Sequence, residues 1–228
     1  MKAAPHQASA GVVAVMFGLL MFIPVIVLGQ AIDWPASLDL PATELMPLIQ
    51  AQAASVQLGY SAYLLYSILF LPAILLLARL AGDSAIVRAA VTLAGVSVLA
   101  RGIGIIRWLT VQPELARDWD TTGGPSTAVV FDAVNSYGGA IGELVGVSLL
   151  AAAAIALLAV AFWRTAVLPR WVAVSGLFVS AGLLLPWLEV FGADLGPVIS
   201  VSVAMVQIWF LSVGSLLLTR TWKSSESR

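Results

Sequence analysis

Nine side chains that could bind a small molecule lie within apolar stretches of this 228-residue sequence. They are Tyr60, Tyr63, Tyr66, Arg101, Arg107, Trp108, Glu143, Glu189 and Gln207. A charged side chain at the centre of a membrane costs about 2.5–3.5 kcal/mol on insertion scales, so each one that is retained needs a partner or a wet cavity. The chemistry that this set favours is charge neutralisation and hydrogen bonding to a ligand.

The heights of these side chains match when helical rise is counted from the arginine at the inner end of each stretch. Three of them share a height of about 28–31 Å: Arg107, Glu143 and Glu189. Arg101 and Gln207 share a height of about 20 Å, and the tyrosines climb between the two levels on one helical stripe. We therefore expect an outward-opening polar cavity that these residues line.

The surroundings of Glu143 predict a close helix contact. Three glycines repeat at four-residue spacing around it: Gly138, Gly142 and Gly146. Small residues at this spacing let helix backbones approach, and either Arg107 or Arg101 could neutralise the carboxylate there. A pair of this kind could also serve only to fix which helices pack together. The tyrosine stripe has a similar alternative, which is packing and anchoring at the membrane interface.

Residue types that are missing from the sequence exclude several membrane chemistries. Without Cys there is no iron–sulfur ligation, thiol catalysis or disulfide. The only His is His6, in the polar N-terminal tail, and the two lysines are Lys2 and Lys223. We therefore expect no metal, haem, retinal or other cofactor and no catalytic residue, and we favour a protein that is not an enzyme. Acid–base work by Glu143 with a tyrosine is the alternative. The net charge of −1 offers no basic surface for nucleic acid.

The composition predicts the elements that position these residues. The chain is 61% hydrophobic and 10% charged, against roughly 25% charged residues in soluble domains. Each helix needs about 20 apolar residues to cross a membrane, which leaves room for about six. We expect an all-α polytopic membrane protein, with residues 1–228 forming one bundle of six transmembrane helices. The predicted spans are about 10–28, 56–78, 89–110, 140–162, 171–188 and 198–218.

Charge asymmetry predicts the orientation. The cations gather at one side: Lys2, Arg79, Arg88, Arg164, Arg170, Arg220, Lys223 and Arg228. Because Lys and Arg beside short loops stay in the cytoplasm, we expect cytoplasmic N and C termini. The polar segments 30–55 and 111–126 are then outside, as loops with at most an interfacial helical turn. A cleaved signal peptide is the alternative for the first apolar run, although that run is longer than a usual signal core of 7–15 residues.

Three short motifs resemble a bacterial family. They are residues 101–107, the glycine-rich run 138–142, and Leu-Pro-Arg-Trp at 168–171. By these motifs and by span order, most of the chain is similar to the six-span membrane proteins classed as domain of unknown function 4386. The resemblance implies a multi-pass protein of the bacterial cytoplasmic (inner) membrane, and it implies no activity for any residue.

The function that we expect is binding or sensing of a small amphipathic ligand. An anionic or carbonyl group would meet Arg101, and an apolar body would lie against Trp108 or Trp209. An accessory or assembly subunit of a larger membrane complex is the alternative, with the alanine run 151–154 as a surface for a membrane protein partner. A small transporter is a further alternative.

Overall fold

The computed structural model describes residues 3–193 and 195–226. Throughout these residues the regular structure is helical, without a strand. Six helical segments of the described chain are long and apolar enough to cross a membrane: His6–Ile32, Ala53–Leu80, Ala85–Thr121, Pro125–Thr165, Arg170–Phe191 and Val201–Trp222. The prediction of an all-α chain with six spans is therefore confirmed, whereas the cytoplasmic placement of the termini stays a prediction.

Ten α-helices make up most of the described chain. Their bounds are α1 (Ala3–Leu20), α2 (Phe22–Ile32), α3 (Ala42–Ala51), α4 (Ala53–Leu80), α5 (Ala85–Ile106), α6 (Val111–Thr122), α7 (Pro125–Gly139), α8 (Ala152–Thr165), α9 (Arg170–Leu183) and α10 (Gly196–Glu226). Short 3-10 helices cover Ala36–Asp39 and Leu185–Phe191, and a π-helix covers Ala140–Ala151. The break at Met21 has a local cause, since Pro24 has no N–H to bond the carbonyl of Leu20.

The chain divides into two compact units. Unit 1 consists of Met1–Leu19, Ile68–Leu99 and Leu144–Arg228, and unit 2 consists of Leu20–Ser67 and Ala100–Glu143. The single membrane domain that the sequence predicted stays a prediction.

Unit 1 is held together by aromatic rings and by closely packed small residues. The ring of Phe17 lies 4.4 Å from that of Phe210 and 5.7 Å from that of Phe70, and all three side chains are buried. A Cβ atom added at Gly11 would lie 3.1 Å from the carbonyl oxygen of Gly214, and one added at Gly214 would lie 2.8 Å from that of Gly11. Helices α1 and α10 therefore cross at a point where no side chain fits.

Buried polar side chains of unit 1 donate hydrogen bonds to backbone carbonyls of neighbouring helices. The pairs are Ser97 with Gly146, Ser180 with Ala152, and Trp209 with Val172. The alanine run 151–154, at the end of the π-helix and the start of α8, is also internal, because Ala151, Ala152 and Ala154 are at most 3% exposed and α8 packs against α9. The expectation that this run offers an outer surface to a partner was wrong.

Unit 2 folds its two polar segments as helices, so the prediction of loops was wrong. Segment 30–55 contains α3, and segment 111–126 contains α6 and the start of α7. Helix α3 buries one apolar face with the spacing i, i+3, i+4, i+7: Ala42, Leu45, Met46 and Ile49. This face packs with Ala116 of α6 and Phe131 of α7. The prolines of segment 30–55 favoured a loop. The free energy gained by burying the apolar face of α3 outweighs the cost of these prolines.

Candidate functional site

Unit 2 encloses a small cavity. Its lining residues are Trp34, Tyr60, Tyr63, Arg101, Gly104, Ile105, Arg107, Trp108, Gly142 and Glu143. The cavity volume is about 20 Å³, and since one water needs about 10–15 Å³ on this measure, one or two water molecules fit. Six of the nine residues that the sequence singled out line this cavity: Tyr60, Tyr63, Arg101, Arg107, Trp108 and Glu143.

Helical spacing brings the lining residues onto shared faces. Tyr60 and Tyr63 are three residues apart on α4, and Arg101, Gly104 and Ile105 are three and four residues apart on α5. Side chains at these spacings lie on one side of a helix. The remaining lining residues come from the turn after α5, from the start of the π-helix and from the turn after α2: Arg107, Trp108, Gly142, Glu143 and Trp34.

Aromatic rings form one wall of the cavity. Tyr60 stacks on Trp108 with ring centroids 4.4 Å apart and an angle of 8° between the planes. Both side chains are 2% exposed. Trp34 meets Tyr63 edge-on at 5.9 Å, and both are half-buried. The wall is thus rigid and apolar, with two rings deep inside and two rings nearer the surface of the unit.

Arg101 is buried beside this wall. Its side chain is 4% exposed, and its guanidinium carbon lies 4.9 Å from the centroid of the Tyr66 ring. An arginine over an aromatic face is stabilised by a cation–π interaction, which strengthens when water is excluded. Tyr66 is therefore a predicted site residue that supports Arg101 without lining the cavity itself.

Arg107 is anchored by a hydrogen-bond network. It donates to the backbone carbonyl of Gly104 and, at 3.3 Å, to the side-chain oxygen of Asn135. The same oxygen accepts a hydrogen bond of 3.2 Å from Gln112, and the Asn135 amide donates to the carbonyl of Leu38 at 3.4 Å. Asn135 thus connects α7, the residues after α5 and the 3-10 helix of unit 2.

Sequence reasoning missed Asn135 and Gln112, because both lie outside the predicted spans. Gln112 is fully buried and Asn135 is half-buried. A signal for Asn135 was present, since it lies three residues before Gly138 on one face of α7. No comparable signal marked Gln112, whose burial depends on the packing of the helices around it.

Glycines make the close contacts of this site. A Cβ atom added at Gly104 would lie 2.7 Å from the Cα of Gly142, and one added at Gly138 would lie 2.6 Å from Cδ of Arg107. The close packing predicted from the glycine repeat is therefore confirmed at Gly138 and Gly142. At Gly138 the missing side chain makes room for the arginine.

Glu143 lines the cavity from an exposed position on the π-helix. It lines the cavity together with Arg107, Tyr60 and Tyr63. The two arginines are at most 7% exposed, so Glu143 marks the mouth and the cations mark the deep part. Irregular π-helical turns are frequent at functional sites, and nothing in the sequence predicted this one.

Two buried donors on cavity-lining residues have no hydrogen-bond partner in the described chain. They are the hydroxyl of Tyr60 and the Nε–H of Arg107. A buried donor without a partner costs about 1–3 kcal/mol, and such groups call for a bound water, ion or ligand. Tyr60 and Arg107 both line the cavity, which is where such a partner would fit.

Two predicted site residues belong to unit 1 and are not among the cavity-lining residues. Glu189 is exposed in the 3-10 helix Leu185–Phe191. Gln207 is buried on α10 and donates to the carbonyl of Val203 on the same helix. The height count for Glu189 assumed a continuous α-helix from Arg170, but α9 ends at Leu183 and a 3-10 helix rises faster per residue. Trp209, proposed for the apolar body of a ligand, is also in unit 1.

The fold and the cavity define a class, which is that of multi-span α-helical membrane proteins with a buried polar site. Within this class the family is clear, because the family model Domain of unknown function (DUF4386) matches residues 9–220, and the chain belongs to this family. The resemblance drawn from the three sequence motifs is thus confirmed. A comparison with curated proteins and one with solved structures each find no match. Within the described residues, no group of three or more His, Asp or Glu could hold a metal ion.

Proposed function

We propose that the protein binds or senses a small amphipathic molecule whose anionic head group enters the cavity of unit 2. The observation that carries this proposal is the convergence of two buried arginines and a stacked aromatic wall on one cavity. Burying two guanidinium groups in a membrane-spanning chain is costly. A ligand that uses both the charge and the rings would offset that cost.

The charge of the cavity favours an anion. Arg101 and Arg107 line it together with Glu143 as the single lining carboxylate, so one positive charge is in excess. Sequence reasoning had placed a second carboxylate, that of Glu189, in the same site. With Glu189 outside the lining, a singly charged anionic head group would balance the cavity.

The size of the cavity limits what enters it. Pockets that enclose a whole small molecule measure about 300–1,000 Å³, far more than the volume of about 20 Å³ here. Only the polar end of a ligand fits inside. The apolar body would lie at the mouth, against the half-buried rings of Trp34 and Tyr63.

A binding experiment with matched arginine variants tests this function. The protein in lipid nanodiscs would be titrated with dodecanoate, dodecyl phosphate and dodecanol, which share one chain length. We expect saturable binding of an anionic amphipath, weakened about tenfold or more in Arg101→Gln because a charge-assisted hydrogen bond or ion contact is lost. Arg79→Gln, at the exposed end of α4, serves as the control and should bind as the natural protein does. Absence of saturable binding for every amphipath would overturn the proposal.

We further propose that the protein lies in the bacterial cytoplasmic membrane with both termini in the cytoplasm. The clustering of arginines at the ends of α4, α8 and α10 and at the starts of α5 and α9 supports this orientation. Because the natural chain has no Cys, single cysteines report cleanly. An impermeant thiol reagent added outside should label Thr43→Cys on α3 and not Ala85→Cys at the start of α5. Labelling of position 85 from outside would overturn the orientation.

The two alternatives drawn from the sequence gain no support from the described contacts. The alanine run that favoured an accessory subunit is internal to unit 1. A transporter alternates between two conformations that open to opposite sides of the membrane. The contacts described above are those of a single conformation. Ligand binding is therefore the function that the geometry supports best.

A further inference from the structure

Two residues that line the cavity carry buried hydrogen-bond donors that lack an acceptor in the described chain. The Tyr60 hydroxyl is buried and has no partner in the described chain, and the same holds for the Nε–H of Arg107. Tyr60 and Arg107 both line the cavity. The two donors therefore belong to residues that border the space a ligand would occupy.

Both donors are held in position before any ligand arrives. The stack with Trp108 fixes the ring of Tyr60. Hydrogen bonds to Gly104 and Asn135 fix the guanidinium of Arg107. Donors that need no reordering bind with less entropic cost, so these two groups favour a ligand of matching shape.

The number of oxygen atoms that fit in the cavity limits the shape of the ligand's head group. The cavity holds one or two water-sized groups. A planar carboxylate has two oxygens, each about the size of a water molecule, and can accept one hydrogen bond from each donor. A tetrahedral phosphate or sulfate has to place three or more oxygens in the same space. The size of the cavity thus discriminates between anions of similar charge.

Resting on the function proposed above, we propose that the head group is a single carboxylate, from a free carboxylic acid or from a fatty acid. One carboxylate oxygen accepts a hydrogen bond from the Tyr60 hydroxyl and the other accepts one from Nε–H of Arg107. Arg101 supplies the second positive charge beside them. The carboxylate adds the one negative charge that the cavity lacks.

The test compares head groups and two tyrosine variants in nanodiscs. Dodecanoate should bind at least about tenfold more tightly than dodecyl phosphate or dodecanol. Tyr60→Phe keeps the stacked ring and removes only the hydroxyl, so it should weaken dodecanoate binding about tenfold. Tyr137→Phe removes a hydroxyl from a side chain that is 73% exposed, and it should bind as the natural protein does. Competition by acetate and octanoate tells a free acid from a chain-anchored one, and either result supports a carboxylate site.

Two outcomes overturn the carboxylate. If dodecyl phosphate binds as tightly as dodecanoate and its binding depends on Arg101, the ligand-binding function stands and the carboxylate inference fails. If Tyr60→Phe folds and binds dodecanoate unchanged, the inference also fails. Should Tyr60→Phe not fold, the ¹³C signal of carboxyl-labelled dodecanoate decides: a bound resonance distinct from that in empty nanodiscs supports the site, and identical signals overturn it. If no amphipath binds at all, both proposals fail together.

Discussion

Unit 1 and unit 2 both bury polar side chains, but they treat them differently. In unit 1, Ser97, Ser180 and Trp209 each donate to a backbone carbonyl of another helix. In unit 2, Tyr60 and Arg107 line a cavity and retain donors that no group of the described chain accepts. The indole N–H of Trp187 in unit 1 also lacks an acceptor in the described chain, but Trp187 does not line the cavity. Polar atoms satisfied by backbone serve packing, whereas donors left over beside a cavity indicate a place for a ligand.

Glycine has two different roles in these units. The crossing of Gly11 and Gly214 in unit 1 brings two backbones together. Gly138 in unit 2 instead makes room for the side chain of Arg107. Glycine therefore supports helix packing in both units, since Gly104 and Gly142 also bring two backbones together in unit 2, whereas Gly138 helps to place a charge. Substitutions can separate the two roles.

The largest effect is expected at the crossing in unit 1. Gly214→Ala would place a Cβ atom 2.8 Å from the Gly11 carbonyl and 2.9 Å from the backbone nitrogen of Val15, and neither backbone atom can yield cheaply. We expect a loss of about 3 kcal/mol in the free energy of unfolding, at the upper end of ordinary overpacking costs. Denaturation in mixed micelles, followed by tryptophan fluorescence, measures it.

Gly95→Ala is the matched control for this substitution. The nearest atom to its added Cβ is 4.0 Å away, so the variant should be neutral or more stable by up to about 1 kcal/mol. Equal destabilisation by both variants would contradict the role assigned to the crossing.

The next effect is expected in the network of unit 2. Asn135→Ala removes the acceptor shared by Arg107 and Gln112, which leaves both donors buried. The expected cost is about 2 kcal/mol, because unsatisfied buried donors cost about 1–3 kcal/mol each and some relaxation occurs. The same unfolding measurement checks it, and Asn135→Asp, which keeps an acceptor oxygen, should recover part of the loss.

A pair of adjacent glycines gives a smaller and more local effect. Gly138→Ala would place a Cβ atom 2.6 Å from Cδ of Arg107, whereas Gly139→Ala would place one 3.5 Å from Nη2, an ordinary contact. Because a side chain can move more easily than backbone, we expect about 1 kcal/mol for Gly138→Ala, the lower end of overpacking costs. Binding of the amphipath should weaken more in Gly138→Ala than in Gly139→Ala. Equal binding by the two variants would contradict a contact between Arg107 and the ligand.

The smallest effect is expected for a hydrogen bond of unit 1. Ser180→Ala removes the bond to the carbonyl of Ala152. Interhelical hydrogen bonds in membrane proteins average about 0.6 kcal/mol, so a loss of that size is expected in the unfolding measurement. If Ser180→Ala lowered the free energy of unfolding as much as Asn135→Ala does, the difference proposed between the polar groups of the two units would be contradicted.

The sequence predicted features that depend on composition and on local spacing. Six apolar helices, the glycine contacts at Gly138 and Gly142, and the grouping of Arg101, Arg107 and Glu143 follow from hydropathy and from helical rise. Glu189 is not among the residues that line the cavity of unit 2, and the rise count that placed it there assumed a regular helix after Leu183. A change of helix type shifts both height and facing, and hydropathy does not record it.

Tertiary packing determined the features that the sequence did not reveal. Trp34 reaches the cavity from the turn after α2, a placement that no periodicity encodes. Helix α3 has only four buried residues, a short apolar face that gains stability only when α6 and α7 cover it. Gln112 and Asn135 become a site only once those helices have packed.

The contact between α1 and α10 has a consequence for how the chain is made. Gly11 and Gly214 are about 200 residues apart in the sequence. At a synthesis rate of about 5–20 residues per second, the partner of α1 emerges from the ribosome roughly 10–40 s after α1 itself. During that time the glycine face of α1 contacts lipid or the insertion machinery instead of α10. A transcript truncated before α10 would therefore yield a protein whose first helix lacks the helix that packs against its glycine face. Such a product should be a substrate for membrane quality-control proteases.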